Sequence, residues 1–127
     1  HEELFVDISE AKNEVLSMPE IVLCVVGVTF ANQDGSSRQA ILERVFHRYN
    51  QTHESVQFLL IPESTNAHDA NAVAVHAVGI GQVGYLSRED APRFRCATAK
   101  LANVYITSSL DFGLSILVND CSACYEF

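Results

Sequence analysis

Six short apolar stretches, each closed off by turn-forming residues, constrain this chain more than any other feature. They run over residues 21–30 (I-V-L-C-V-V-G-V-T-F), 56–61, 72–77, 82–86, 104–109 and 114–118. Each has strand length and is rich in β-branched or aromatic residues. Between them lie N-Q-D-G-S-S at 32–37, Pro62, G-I-G at 79–81 and L-D-F-G at 110–113, all turn or stop signals. Short connections favour antiparallel pairing of neighbouring strands. The pattern predicts a small barrel or a strongly curved sheet with packed helices. A doubly wound parallel sheet needs regular strand–helix alternation, which is absent. The unbroken apolar run at 21–30 predicts a strand buried on both faces or set in a barrel wall. Cys24 is then a small buried hydrophobe.

Two to three helices are expected beside the strands. In residues 7–18, Ile8, Ala11, Val15 and Leu16 recur near helical spacing, and Pro19 closes the segment. Residues 1–20 read as an acidic N-terminal helical extension, and residues 21–127 as the barrel domain. In residues 38–49, Ile41, Leu42, Val45, Phe46 and Tyr49 form one apolar stripe, with arginines on the opposite face. Ser36 and Gln39 have capping-box spacing at its start. Ser87 and Asp90 approximate another box, predicting a third helix to about Lys100 with Pro92 in its first turns. The class is mainly β (α+β). The length of 127 residues suits one domain, and with no Trp and one Met its core must be aliphatic, Phe and Tyr.

Charge and motifs narrow the function. The net charge is −8, and residues 1–20 hold six acids against Lys12. An acidic total argues against a general nucleic-acid coat protein, whose affinity comes from phosphate neutralisation. It leaves room for a local site, and the bases do cluster, at Arg38, Arg44 and Arg48 and again at Arg88, Arg93, Arg95 and Lys100. No apolar run approaches the ~20 residues of a spanning helix. The acidic start does not resemble a secretory leader, so reduced thiols and an intracellular setting are expected, cytoplasmic in a bacterium or nuclear in a eukaryote. Cys121 and Cys124 have CxxC spacing but no second ligand pair for zinc and no following helix for redox chemistry. His47, His53, His68 and His76 are scattered. Gly79, Gly81 and Gly84 precede a strand rather than a helix, which fails the dinucleotide-loop context. No nucleophile elbow or carboxylate pair is present. The chain is therefore expected to be no enzyme and to use no metal or cofactor.

The most specific stretch is S-T-N-A-H-D-A-N-A-V-A-V at 64–75. Asn66, Asp69 and Asn71 are residue types that bond their own backbone and shape turns. The stretch reads either as a structural turn, with Asn71 fixing it, or as a ligand-facing loop. Gly84 reads as a point of close backbone packing.

Taken together, V-V-G-V-T-F (25–30), N-A-H-D-A-N-A-V-A-V (66–75) and Q-V-G-Y-L-S-R-E (82–89) resemble the HIRAN domain over about residues 22–119. That family supplies the N-terminal module of certain Swi/Snf-type DNA-repair helicases and occurs alone or fused to nucleases in bacteria. The resemblance implies an OB-like antiparallel barrel of about six strands. It also implies a non-catalytic module for single-stranded DNA or 3′ ends in repair or replication-fork processing. A helicase or nuclease domain in the same polypeptide or operon is an implied partner, with no membrane involved. By resemblance, Asn66 and Asp69 belong to the binding loop and hydrogen-bond the terminal sugar, with Asp69 accepting the terminal 3′-hydroxyl, and His68 occupies a position that stacks on a base. The family's first-strand arginine falls at Thr29, while Phe30 retains an aromatic face that serves either the core or a base. Phe112 matches a base-packing aromatic. Arg88, beside Tyr85, reads as a phosphate contact or a solvated cap residue. The alternative is a protein-interaction or regulatory module that keeps the barrel without the DNA site.

Overall fold

The computed structural model describes residues 20–53, 56–94 and 98–119. Six strands and one helix occupy them: β1 (Glu20–Val26), α1 (Arg38–Thr52), β2 (Gln57–Pro62), β3 (Val73–Ala77), β4 (Gly81–Leu86), β5 (Thr98–Ile106) and β6 (Phe112–Asn119). The strands close into an antiparallel barrel in the order β1-β4-β3-β2-β5-β6. Closure gives each strand two strand neighbours. Among the described residues, no helix is long and apolar enough to cross a membrane.

Alternation builds the core. On β2, Phe58 and Leu60 point inward, while Leu59 and Ile61 face out. Leu23, Val25, Val73, Val75, Val83, Leu114, Ile116 and Val118 complete the inner wall. Helix α1 packs on β4 and β6 through Ile41, Leu42 and Val45, at i, i+1 and i+4 of its stripe. Each fully buried Leu or Val contributes about 1.5–3 kcal/mol relative to exposure.

Gly84 sets the closure between β4 and β1. A Cβ there would lie 2.5 Å from the Val26 carbonyl oxygen and 2.8 Å from Val25 Cγ1. The two backbones can approach this closely only where no side chain stands between them.

The structure departs from the sequence expectations at four points. First, β1 is buried on one face only. Its exposure alternates, Val22 and Cys24 face outward, and Cys24 is an exposed free thiol rather than a core residue. A barrel wall needs only its inner residues apolar, and outward Val and Cys are tolerated in a strand. Second, the described residues hold one helix. The predicted third helix is a turn: the Ser87 hydroxyl donates to Asp90 Oδ2 (3.0 Å), and Ser87 Oγ accepts from Asp90 N (3.2 Å). Phe94 N still bonds the Asp90 carbonyl, but no helix propagates. Pro92 sits well beyond the first helical position, so it removes a needed N–H and its ring crowds the Arg88 carbonyl. Third, β5 starts at Thr98, within the span assigned to that helix. A bulge between Leu101 and Asn103 puts Leu101 and Val104, three residues apart, both against the core. That spacing mimics a helical stripe and hides the period of 2. Fourth, Ser37 rather than Ser36 caps α1, accepting from Ala40 N at 3.1 Å. The predicted helix over 7–18 and the Cys121–Cys124 pair lie outside the described residues.

Candidate nucleic-acid interface

The site is assembled from two connections. One leads from β1 into α1. Gly27 takes a φ of +69°, a region open to glycine at little cost, and this turn directs its carbonyl at Arg38. The turn at 32–37 is held by Asn32 N bonding the Ser36 carbonyl (2.8 Å) and Gly35 N bonding the Asn32 carbonyl (2.9 Å). Asp34 Oδ1 accepts from the Ser36 hydroxyl (2.6 Å) and Ser36 N (2.9 Å). Those bonds, the hydroxyl's first, hold the Asp34 carboxyl below its ordinary 3.8.

The sequence places Arg38 on the face of α1 opposite its apolar stripe, whereas in the structure the residue is buried. Its relative exposure is 7%. Nε donates to Asn32 Oδ1 at 2.7 Å, and Nη1 donates to the Gly27 carbonyl at 2.7 Å. The guanidinium lies 5.2 Å from the centroid of the Tyr85 ring, a cation–π distance. Asn32 is fully engaged in turn, donating from Nδ2 to Ser36 Oγ and to the Gln82 carbonyl, both at 3.0 Å. Among the described residues, no carboxylate comes within 4.0 Å of Arg38. Its charge is met by a carbonyl, an amide and a ring.

The other connection is the β2–β3 loop, residues 63–72. Asn66 Oδ1 accepts from His68 N (2.8 Å) and Asp69 N (3.1 Å), and Asn66 Nδ2 donates to Glu63 Oε1 (3.1 Å). Asp69 Oδ1 accepts from Asn71 N at 2.9 Å. The side chain fixing this turn is therefore Asp69, while Asn71 contributes its backbone. Both Asx residues do the structural work their types suggest. The Tyr85 hydroxyl donates to the same Glu63 Oε1 at 2.8 Å, tying β4 to the loop.

These parts enclose a groove of about 700 Å³, lined chiefly by Arg38, Tyr85, Glu63, Thr65, Asn66 and His68. A second depression of about 260 Å³ is formed by His68, Asp69, Asn71, Arg88 and Pro92. His68 borders both. Of the residues singled out by sequence, Asn66, His68 and Tyr85 meet in the groove, and Asp69 and Arg88 meet in the second depression. Phe30 is 68% exposed next to the groove residue Ala31, so it is not a core residue. Phe112 stands apart, its ring 5.6 Å from that of Phe46 and its main chain bonded at both N and O by Gln39.

Sequence reasoning assigned no site role to Asn32 or Glu63 and named Arg38 only within a cluster of bases. One signal for Arg38 was present. It lies at i of the i, i+3, i+4, i+7 stripe completed by Ile41, Leu42 and Val45, and it places a cation in the first turn of a helix, against the macrodipole. On β3, His76 is half-buried, and burial lowers its pKa from the ordinary 6.5, opposed in part by the Glu63 charge. Among the described residues, no three His, Cys, Asp or Glu side chains converge as a metal site. Searches of protein-family models, curated proteins and solved structures found no match to this chain.

Proposed function

We propose that this chain is a non-catalytic module that binds single-stranded DNA or its 3′ end, in the DNA-repair or fork-processing setting that its resemblance to the HIRAN family implies. One observation carries the reading: the 63–72 loop, with His68, faces one groove together with Tyr85, and His68 also borders the adjoining depression that Asp69 and Arg88 line. Its volume falls in the range of about 300–1,000 Å³ typical of sites for small organic ligands, which suits a terminal nucleotide better than a long tract. His68 and the exposed Phe30 present aromatic surface on which an unstacked base rests. The Oδ2 oxygen of Asp69 has no protein partner among the described residues and is the acceptor for a terminal 3′-hydroxyl. Asn66, already committed to the loop and to Glu63, acts by holding that loop in shape. Binding of single strands with a free or a blocked 3′-hydroxyl tests the reading.

A protein-interaction or regulatory role is the second reading, favoured by the net charge of −8, which opposes a polyanion at long range. It predicts no oligonucleotide binding even at low salt, with or without residues 1–20.

A further inference from the structure

We propose that Arg38 forms a phosphate-oxyanion subsite in the floor of the groove, and that the phosphate it takes is one of a single strand; the choice of strand rests on the functional reading above. The residue is more than nine-tenths buried and lines the groove. An arginine carries five N–H donors. Two are committed here, from Nε to Asn32 and from Nη1 to Gly27. Among the described residues no buried side-chain polar atom lacks a partner. Nη2, which makes neither bond, is therefore not sealed in dry protein, on a residue that lines the groove.

Three further features give the subsite its character. The two bonds and the Tyr85 ring hold the guanidinium in one orientation, so little freedom is lost when an anion arrives. No carboxylate neutralises it from within 4.0 Å among the described residues. Glu63 lines the same groove beyond the Tyr85 ring, with Oε1 taken by Tyr85 and Asn66 and Oε2 left open. A ligand filling the groove thus meets a fixed cation, an aromatic ring and a hydrogen-bond acceptor. A nucleotide supplies a phosphate, a π-face, and a base or sugar donor. The negative charge of the whole chain means that capture depends on contact with Arg38 and not on long-range steering.

The test uses the whole chain labelled with ¹⁵N. The arginine Nε–H signal absent from Arg38→Gln identifies Arg38, and it is followed during titration with inorganic phosphate and, separately, with a short single-stranded oligonucleotide. Both ligands should shift it. One phosphate on a single strand corresponds to a salt slope of about −0.7, or about 2.6-fold weaker binding between 50 and 200 mM salt. Arg38→Gln should lose that increment of salt dependence. Arg38→Lys, which keeps the charge but not the fork, should retain salt dependence with weaker affinity. Because the wild-type titration needs no substitution, a variant that fails to fold does not remove the test. Oligonucleotide binding with an unmoved Arg38 signal overturns the subsite and leaves the strand reading standing. A signal moved by phosphate without oligonucleotide binding keeps the subsite and overturns the strand reading. A phosphoserine peptide that binds at Arg38 where the oligonucleotide does not has the same meaning and assigns the phosphate to a protein.

Discussion

Replacing Asn32 by alanine tests whether the groove rests on the β1–α1 turn. Asn32 is buried and makes three side-chain bonds, two of which reach beyond its own turn: it accepts from Arg38 Nε at 2.7 Å and donates to the Gln82 carbonyl on β4 at 3.0 Å. The bond from Arg38 is charge-assisted, a class worth about 1.5–3 kcal/mol. The bond to Gln82 is neutral and contributes about 1 kcal/mol. The third, to Ser36 Oγ, lies within the turn, where water can replace it at smaller cost. The loss should therefore be about 3 kcal/mol. With a urea slope of about 1–3 kcal/mol/M for a small domain, the midpoint moves down by about 1–3 M. Chemical denaturation followed by far-UV circular dichroism measures it. The Asn32→Ala, Arg38→Met cycle gives the coupling: the double variant should cost less than the sum of the singles, because no buried cation is left without its acceptor. A loss under about 1 kcal/mol with additive singles would refute the claim that Asn32 holds Arg38.

Other outcomes follow from the same geometry. Gly84→Ala forces a methyl group to within 2.5 Å of the Val26 carbonyl and should destabilise the barrel by about 2–3 kcal/mol or more, read as a lowered melting temperature. Cys24→Ser changes an outward-facing group and should stay within about 0.5 kcal/mol of wild type, whereas a core cysteine would lose more. His76 has a folded pKa below the 6.5 of the free side chain. The unfolded chain therefore binds this proton first, and stability should fall as pH drops below 6.5 towards the folded value. His76→Gln should flatten that decline, measured by denaturation at pH 7.5 and pH 5.5.

The strands and the loop were largely legible in the sequence, because each rests on a local signal. The β2 to β4 region was bracketed within about a residue at each end, since Pro62 and the G-I-G turn punctuate it. The 63–72 loop carries Asx residues whose side chains do bond its backbone. What was not legible depended on partners far along the chain. The bulge at Leu101–Asn103 breaks the alternation that would have revealed β5. The outward facing of Cys24 follows from barrel closure, since a uniformly apolar run does not reveal its inner face. The burial of Arg38 runs against the usual exposure of arginine. Its burial requires the Gly27 carbonyl, Asn32 and the Tyr85 ring, the last 47 positions later. The lining of the groove was thus half legible: Asn66, His68 and Tyr85 line it, and Asp69 and Arg88 line the adjoining depression, while the burial of Arg38 beside them had no local signal strong enough to show it.

The central claim is that the groove receives the end of a single strand. Fluorescence anisotropy with two oligonucleotides of one sequence, one ending in a free 3′-hydroxyl and one blocked there, tests it most directly. The Asp69 oxygen left free by the loop should accept the free hydroxyl, and loss of one charge-assisted bond is worth about 1.5 kcal/mol, or about tenfold in affinity. Tighter binding of the free end by about that factor, abolished in Asp69→Ala, is the predicted result. Equal affinity for both ends, or no binding of either at low salt, would contradict it.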